Sequence, residues 1–235
     1  MGRKGRTQNG PRKIRRVNQQ LNRPSPITQV AIPISVKNNN GRSITINHSE
    51  YINVVTTTST TYSTVINVVA QPGLNATFPW LSSIAVNYDK YKFQRLKFEY
   101  IPACPTSTQG TIYMGFDPDV LDSQPLSAPD MMQYKDNIQF SPFLSNALNI
   151  SQDVLQRKLF TRSGAVANSD LKTYDIGKFY LGVDMASASG VSLGSLRVSY
   201  TVTLFDPQPR NDAYVGQSAY WLSTSSSSFA TTNYN

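Results

Sequence analysis

Between Ile44 and Val69 the chain reads ITINHSEYINVVTTTSTTYSTVINVV. β-Branched residues crowd this stretch, and such side chains lose rotamer freedom in a helix but pack well on a pleated surface. The Thr/Ser run from Thr56 to Thr64 also fits a flexible or glycosylated linker, but Val54, Val55 and Tyr62–Val69 flank it with strand signals. Residues 91–101 (YKFQRLKFEYI) alternate most cleanly at Leu96, Phe98 and Tyr100, a period of two. Residues 110–116, 176–185 and 195–205 read as further strands. Two short helices are expected, one from Trp80 to Ile84 after Pro79, the other opening near Ser127 with Pro129 and Asp130 in its first turn. Strand never alternates with long helix, so a parallel α/β sheet is disfavoured and an all-β antiparallel sandwich of about eight strands is expected. No internal repeat is visible.

Charge divides the chain differently. The net charge is +8, from 22 Lys and Arg against 14 Asp and Glu. Residues 1–23 hold Arg3, Lys4, Arg6, Arg12, Lys13, Arg15, Arg16 and Arg23 and no acid; the first acid is Glu50. The entire excess therefore sits on an N-terminal arm, and the body is neutral. Rich in Arg, Asn, Gln, Gly and Pro, residues 1–37 cannot bury enough apolar surface to fold alone and are expected to be disordered. From Pro24 onward charge falls and Ile27, Val30, Ile32 and Ile34 appear, so residues 24–37 can order in some copies as an extended strand, with the prolines confining it to an edge. The body is then residues 38–235. Only 15% of the chain is charged, so the body must cover itself with Ser, Thr, Asn and Gln, which favours a surface that ends against other surfaces.

The arm is the strongest binding signal. Its cations pair with phosphate and release counterions, and with no aromatic residue in the first 50 positions it has no ring on which bases could stack. Sequence-independent nucleic-acid binding is expected. A nuclear import signal overlaps the same residues, and Ile14, Val17 and Leu21 give only a thin face for a membrane-surface helix. No run of 18 apolar residues suggests a transmembrane helix, and the charged N-terminus lacks the apolar stretch of a secretory signal. Arg6 stands where myristoylation wants Ser or Thr.

Catalytic readings are weak. A Ser-His-Asp or Cys-His arrangement would have to use His48, the single histidine, which reads as a polar residue near a strand start. Cys104, the single cysteine, reads as a small buried thiol and excludes intrachain disulfides and cysteine-based zinc sites. No phosphate-cradling glycine loop occurs. The acidic cluster FDPDVLDSQP places Asp117, Asp119 and Asp122 within six residues, where carboxylates repel unless a cation or proton sits among them. Oxygen donors of this kind suit calcium, although a solvated acidic turn fits the same spacing. No enzymatic activity is expected.

The stretch FPWLSSIAVNYDKYKFQRLKFEYIPACPTSTQGTIYMGFDPDVLDSQP resembles the shell domain of small icosahedral plant RNA virus coat proteins. The residues that carry the likeness are Phe78–Leu81, Tyr88–Phe93, Tyr100–Thr106 and Gly110–Asp122. The sobemovirus type resembles it most, with the tombusvirus shell domain as runner-up. Only about 30 residues follow Phe205, too few for the projecting domain that tombusvirus coat proteins typically carry. The resemblance implies an eight-stranded jelly roll that self-assembles into a T=3 icosahedral virion. Single-stranded viral RNA would then lie against the basic arm. It also implies calcium between subunits, held by Asp119 and Asp122 with Asn235 or Asn233 and backbone carbonyls. Localisation would be the virion and the host cytoplasm, with no membrane partner. The alternative is a nucleic-acid-binding β-domain that does not assemble, such as a viral movement or silencing factor. A carbohydrate-binding or hydrolytic jelly roll would leave the arm unexplained.

Overall fold

The computed structural model describes residues 34–39, 41–166 and 171–208. Ten strands and four short helices lie among them. The strands are β1 (Ser35–Asn39), β2 (Ser43–Thr56), β3 (Ser63–Val69), β4 (Tyr88–Pro102), β5 (Thr111–Asp117), β6 (Asp136–Phe140), β7 (Asn146–Asn149), β8 (Leu159–Phe160), β9 (Lys178–Asp184) and β10 (Ser192–Pro207). The helices are α1 (Leu81–Ala85), α2 (Ala128–Met132), α3 (Gln152–Leu155) and α4 (Leu171–Tyr174).

All pairings are antiparallel and form two sheets. Sheet A runs β1-β2-β10-β4-β7, with β8 beside the start of β4, and sheet B runs β3-β9-β5-β6. The chain passes from one sheet to the other between β2 and β3, β3 and β4, β4 and β5, β6 and β7, β8 and β9, and β9 and β10. Two four-stranded sheets wound in this order are a jelly roll. The number matches the eight or so strands expected, although β6 and β7 lie outside the segments read as strands, and β1 and β8 are short additions at the margins of sheet A.

Alternation decides what each face buries. In β10, Leu196, Val198, Tyr200, Val202 and Leu204 point inward and are buried. Their β4 counterparts are Leu96, Phe98 and Tyr100, then Phe93 and Tyr91 beyond a register shift between Thr201 and Val202. From sheet B, Ile112, Met114, Phe116, Phe179, Leu181 and Val183 close the core. Phe98 stacks on Phe179 with ring centroids 4.0 Å apart, joining the two sheets at the centre.

The Thr/Ser run is an ordered corner. Thr57 is buried; its N–H donates to the Val191 carbonyl at 2.9 Å and its hydroxyl to the Ala188 carbonyl at 2.7 Å. Both expected helices are present. Ser127 caps α2, its Oγ accepting from the Asp130 N–H at 3.3 Å, while an Asp130 carboxylate oxygen accepts from the Leu126 N–H at 3.2 Å. α1 has no such cap nearby. Glu50, buried on β2, supplies it by accepting from the Trp80 N–H at 2.5 Å and the Leu81 N–H at 3.2 Å. α3 and α4 are additional to the two expected helices; each is a single turn of four residues, too short to show a helical period.

Candidate functional site

β5 carries the acidic cluster out of sheet B. Ile112, Met114 and Phe116 face the core, so Tyr113, Gly115 and Asp117 face outward. On β9 the partners of Tyr113, Gly115 and Asp117 are Gly182, Tyr180 and Lys178. α2 lies over this face: Tyr113, Met131 and Tyr180 form a second apolar cluster with Tyr62, Ala128 and Tyr134 against it. Two glycines make room. A Cβ on Gly115 would sit 2.6 Å from Met131 Sδ, and one on Gly182 would sit 2.8 Å from the Tyr62 ring.

At the edge of this cluster the three aspartates separate. Asp117 is 4% exposed; its Oδ1 accepts from the Asp119 N–H at 2.8 Å, and its Oδ2 is buried with no partner. Burial, together with the charges of Asp122 and Asp119, holds its carboxyl above the ordinary aspartate range. Asp119 turns away. Its Oδ2 accepts from Lys172 Nζ at 2.6 Å and its Oδ1 from the Leu121 N–H at 3.0 Å, which together hold its carboxyl below the usual range. It lines a cleft with Asp153, Arg157 and Lys172. Asp122 lies with Asp117, Asp130 and Tyr134 along a separate cavity of about 470 Å³, and its carbonyl accepts from Lys178 Nζ at 2.9 Å. Burial and the charges of Asp117, Asp122 and Asp130 push the Tyr134 phenol up to about 12.

The structure thus brings Asp117 and Asp122 to one cavity and gives Asp119 a lysine partner. Among the described residues no three His, Cys, Asp or Glu side chains converge as a metal ligand set. Asn233, Asn235, the eight arm cations and residues 24–33 lie outside the described residues. Lys172, Lys178 and Asp130 belong to this neighbourhood but not to the sequence motif, because strand register and the seating of α2 and α4 bring them there. One signal was available in advance: if β5 and β9 pair, Lys178 stands opposite Asp117.

The catalytic candidates part company. His48 packs edge-on against Trp80 with ring centroids 4.9 Å apart, and lies beside Tyr200, which pairs with Leu96 on β4. Cys104 lies beyond Pro102, about 20 Å farther along that strand. Its thiol is half-buried rather than buried and donates to the Pro142 carbonyl at 3.3 Å.

A jelly roll with an acidic turn at the end of β5 and a chain whose excess charge precedes the first described strand belongs with the shell domains of icosahedral capsids. A family model described as viral coat protein (S domain) matches residues 23–210, and the chain belongs to that family. It is 33% identical over 177 residues to the capsid protein of Oat chlorotic stunt virus (isolate United Kingdom), covering 72% of this chain and 38% of that one. Its fold is similar to the crystal structure of Cucumber Necrosis Virus, with a TM-score of 0.64, 30% identity, and 71% of this chain and 57% of the other covered. It also resembles that of Tobacco necrosis virus, with a TM-score of 0.68, 23% identity, and 77% and 90% covered. The chain spans less than half the length of the curated relatives it matches, from 36% to 47%. These relatives support the tombusvirus runner-up; the sobemovirus type is not confirmed by them.

Proposed function

We propose that this chain is the shell-forming coat protein of a small icosahedral RNA virus. It assembles with many copies of itself into a T=3-type virion and holds single-stranded RNA against its basic arm. The observation that carries this reading is the family match over residues 23–210, joined to a charge distribution in which the excess of +8 lies in residues 1–23. Copies packed edge to edge repel if each carries a large like charge; concentrating the excess on an arm leaves the body free to pack and supplies cations to the enclosed polyanion.

Calcium between subunits is part of the proposal. The unpartnered Asp117 Oδ2 and the Asp122 carboxylate on the same cavity fit a hard, oxygen-ligated cation. Asp119 fits only if it exchanges Lys172 for the metal. One copy offers an incomplete set, so Asp119 and Asp122 would share the ion with oxygen donors of a neighbouring copy, Asn235 or Asn233 among them. When bound, calcium would neutralise carboxylates that otherwise repel across the contact.

The deciding experiment is size-exclusion chromatography and electron microscopy of the purified full chain, alongside a chain lacking residues 1–23. Megadalton particles with RNA, and folded protein with sharply reduced RNA content after the deletion, are expected. A small RNA-binding species that never assembles would favour the non-assembling alternative. Unchanged RNA content after the deletion would remove the arm from its role.

A further inference from the structure

The body is neutral in sum, with 14 basic and 14 acidic residues after Arg23, yet the fold does not distribute them evenly. The outward face of sheet A is read directly from the strand registers. One row across it is Lys37, Thr45, Thr203 and Lys92; the next is Ser35, Asn47, Thr201 and Arg95. Then come Ser49, Ser199, Lys97 and Asn149, followed by Tyr51, Arg197, Glu99 and Ala147. Across these four rows five cations therefore stand with one acid. That acid is already engaged: Glu99 pairs with Lys97 and accepts from the Ser199 hydroxyl at 2.6 Å. Among the described residues, Lys37, Lys92, Arg95 and Arg197 have no carboxylate within ion-pair distance.

Between the cations lies a floor of hydroxyls and amides bonded to one another. Thr45 and Thr203 share a 2.9 Å hydrogen bond, Ser199, whose proton goes to Glu99, accepts from the Ser49 hydroxyl at 3.0 Å, and Gln94 donates to Thr203 at 3.0 Å. Arg95 donates to Asn47 at 3.4 Å and stays exposed. The first three rows contain no apolar side chain.

We propose that this outer face of sheet A is a second phosphate-binding surface for single-stranded RNA, separate from the arm. The inference rests on the RNA-packaging reading and deepens it. The chemistry selects this occupant over a second copy of the chain. Protein interfaces bury an apolar centre depleted of charge, whereas phosphate backbones are gripped by Arg and Lys with Ser, Thr, Asn and Gln around them. The first three rows carry that second composition, and the mutually bonded hydroxyls hold the cations on a rigid sheet. Tyr51 and Phe205 stand at opposite ends of the face and the rows between them carry no ring, so contacts there go to phosphate and are indifferent to sequence.

The test uses the full chain and a labelled oligo(U), with affinity measured across a salt series. Arg95→Gln with Arg197→Gln removes two cations from the face; Lys135→Gln with Lys178→Gln makes the same charge change away from sheet A. Losing two phosphate contacts lowers the slope of log affinity against log salt by about 1.4, at about 0.7 per contact for single strands. The control pair is expected to leave the slope unchanged. Lys92→Gln with Arg95→Gln repeats the measurement should the first pair fold poorly. If the wild-type slope is steep and face variants keep it, or if control and face pairs lower it equally, this inference fails while the arm's role stands. If face variants keep the slope and lose assembly, the face is a subunit contact and the inference fails in that way. A flat slope in the wild type removes the RNA reading as a whole.

Discussion

Tyr200 and Glu50 show how much a single carboxylate can hold. The Tyr200 hydroxyl donates to Glu50 Oε1 at 2.5 Å, while the same carboxylate caps α1 through two backbone N–H groups. Burial and the bond to Glu50 push the phenol far above its ordinary value, so it stays a donor at any working pH. Tyr200→Phe keeps the ring and removes one charge-assisted bond, a loss of about 1.5–3 kcal/mol. Glu50→Ala orphans three donors at once and costs more. Urea midpoints rank the two; equal midpoints for wild type and Tyr200→Phe would mean that the carboxylate satisfies itself elsewhere. Glu99 supplies the pH dependence. Partial burial raises its carboxyl, but bonds from Lys97 and Ser199 outweigh that and hold it below its ordinary value. A carboxyl depressed by folding contributes stability that is full above its unfolded value and is lost as pH falls through the folded one. Stability is expected to drop as pH falls below the ordinary glutamate range, and Glu99→Gln to flatten that drop. Identical pH profiles for the two proteins would count against the assignment.

At the level of elements, α2 is held by its cap and by the space beneath it. Ser127→Ala removes the oxygen that accepts from Asp130 and is expected to cost about 1 kcal/mol. Gly115→Ala drives a Cβ into Met131 and Tyr134 and costs about 1–3 kcal/mol, as overpacking does. The sites share α2, so the double variant is expected to depart from additivity, a coupling that urea titration of all four proteins measures. Ser127, Pro129 and Asp130 made this helix legible in the sequence, because a cap is a local signal. The long strands were legible for the same reason: period two and β-branching are written along the chain. α3, α4 and the two-residue β8 were not, since one turn or one bridge has no period and forms only because β4 lies beside it. The acidic turn was legible as a cluster but not in its division. Nothing in the spacing of Asp117, Asp119 and Asp122 says that Lys172, over 50 residues away, takes the middle one.

For the whole molecule, charge placement turns the fold into an expectation about assembly. The cations of sheet A face one side, while Asp117, Asp122, Asp130 and Asp184 gather on and around the outer face of sheet B. The acidic side is where a bound metal ion would change most, and Lys172 is the cation it would have to replace at Asp119. Asp119→Asn with Asp122→Asn removes the repulsion and the ligands together. Shells of this variant are expected to respond to chelator and to added calcium alike, with little change in subunit stability, because both side chains lie near the surface. Lys172→Gln does the opposite: it strips Asp119 of its built-in partner while leaving both carboxylates. Its shells are expected to sediment as intact particles with calcium and to swell or dissociate with chelator more readily than the wild type. Sedimentation of the three proteins in calcium and in chelator separates the possibilities. If wild-type and Lys172→Gln particles resist chelator equally, the turn is an ordinary solvated loop, and Lys172 is only its counter-ion.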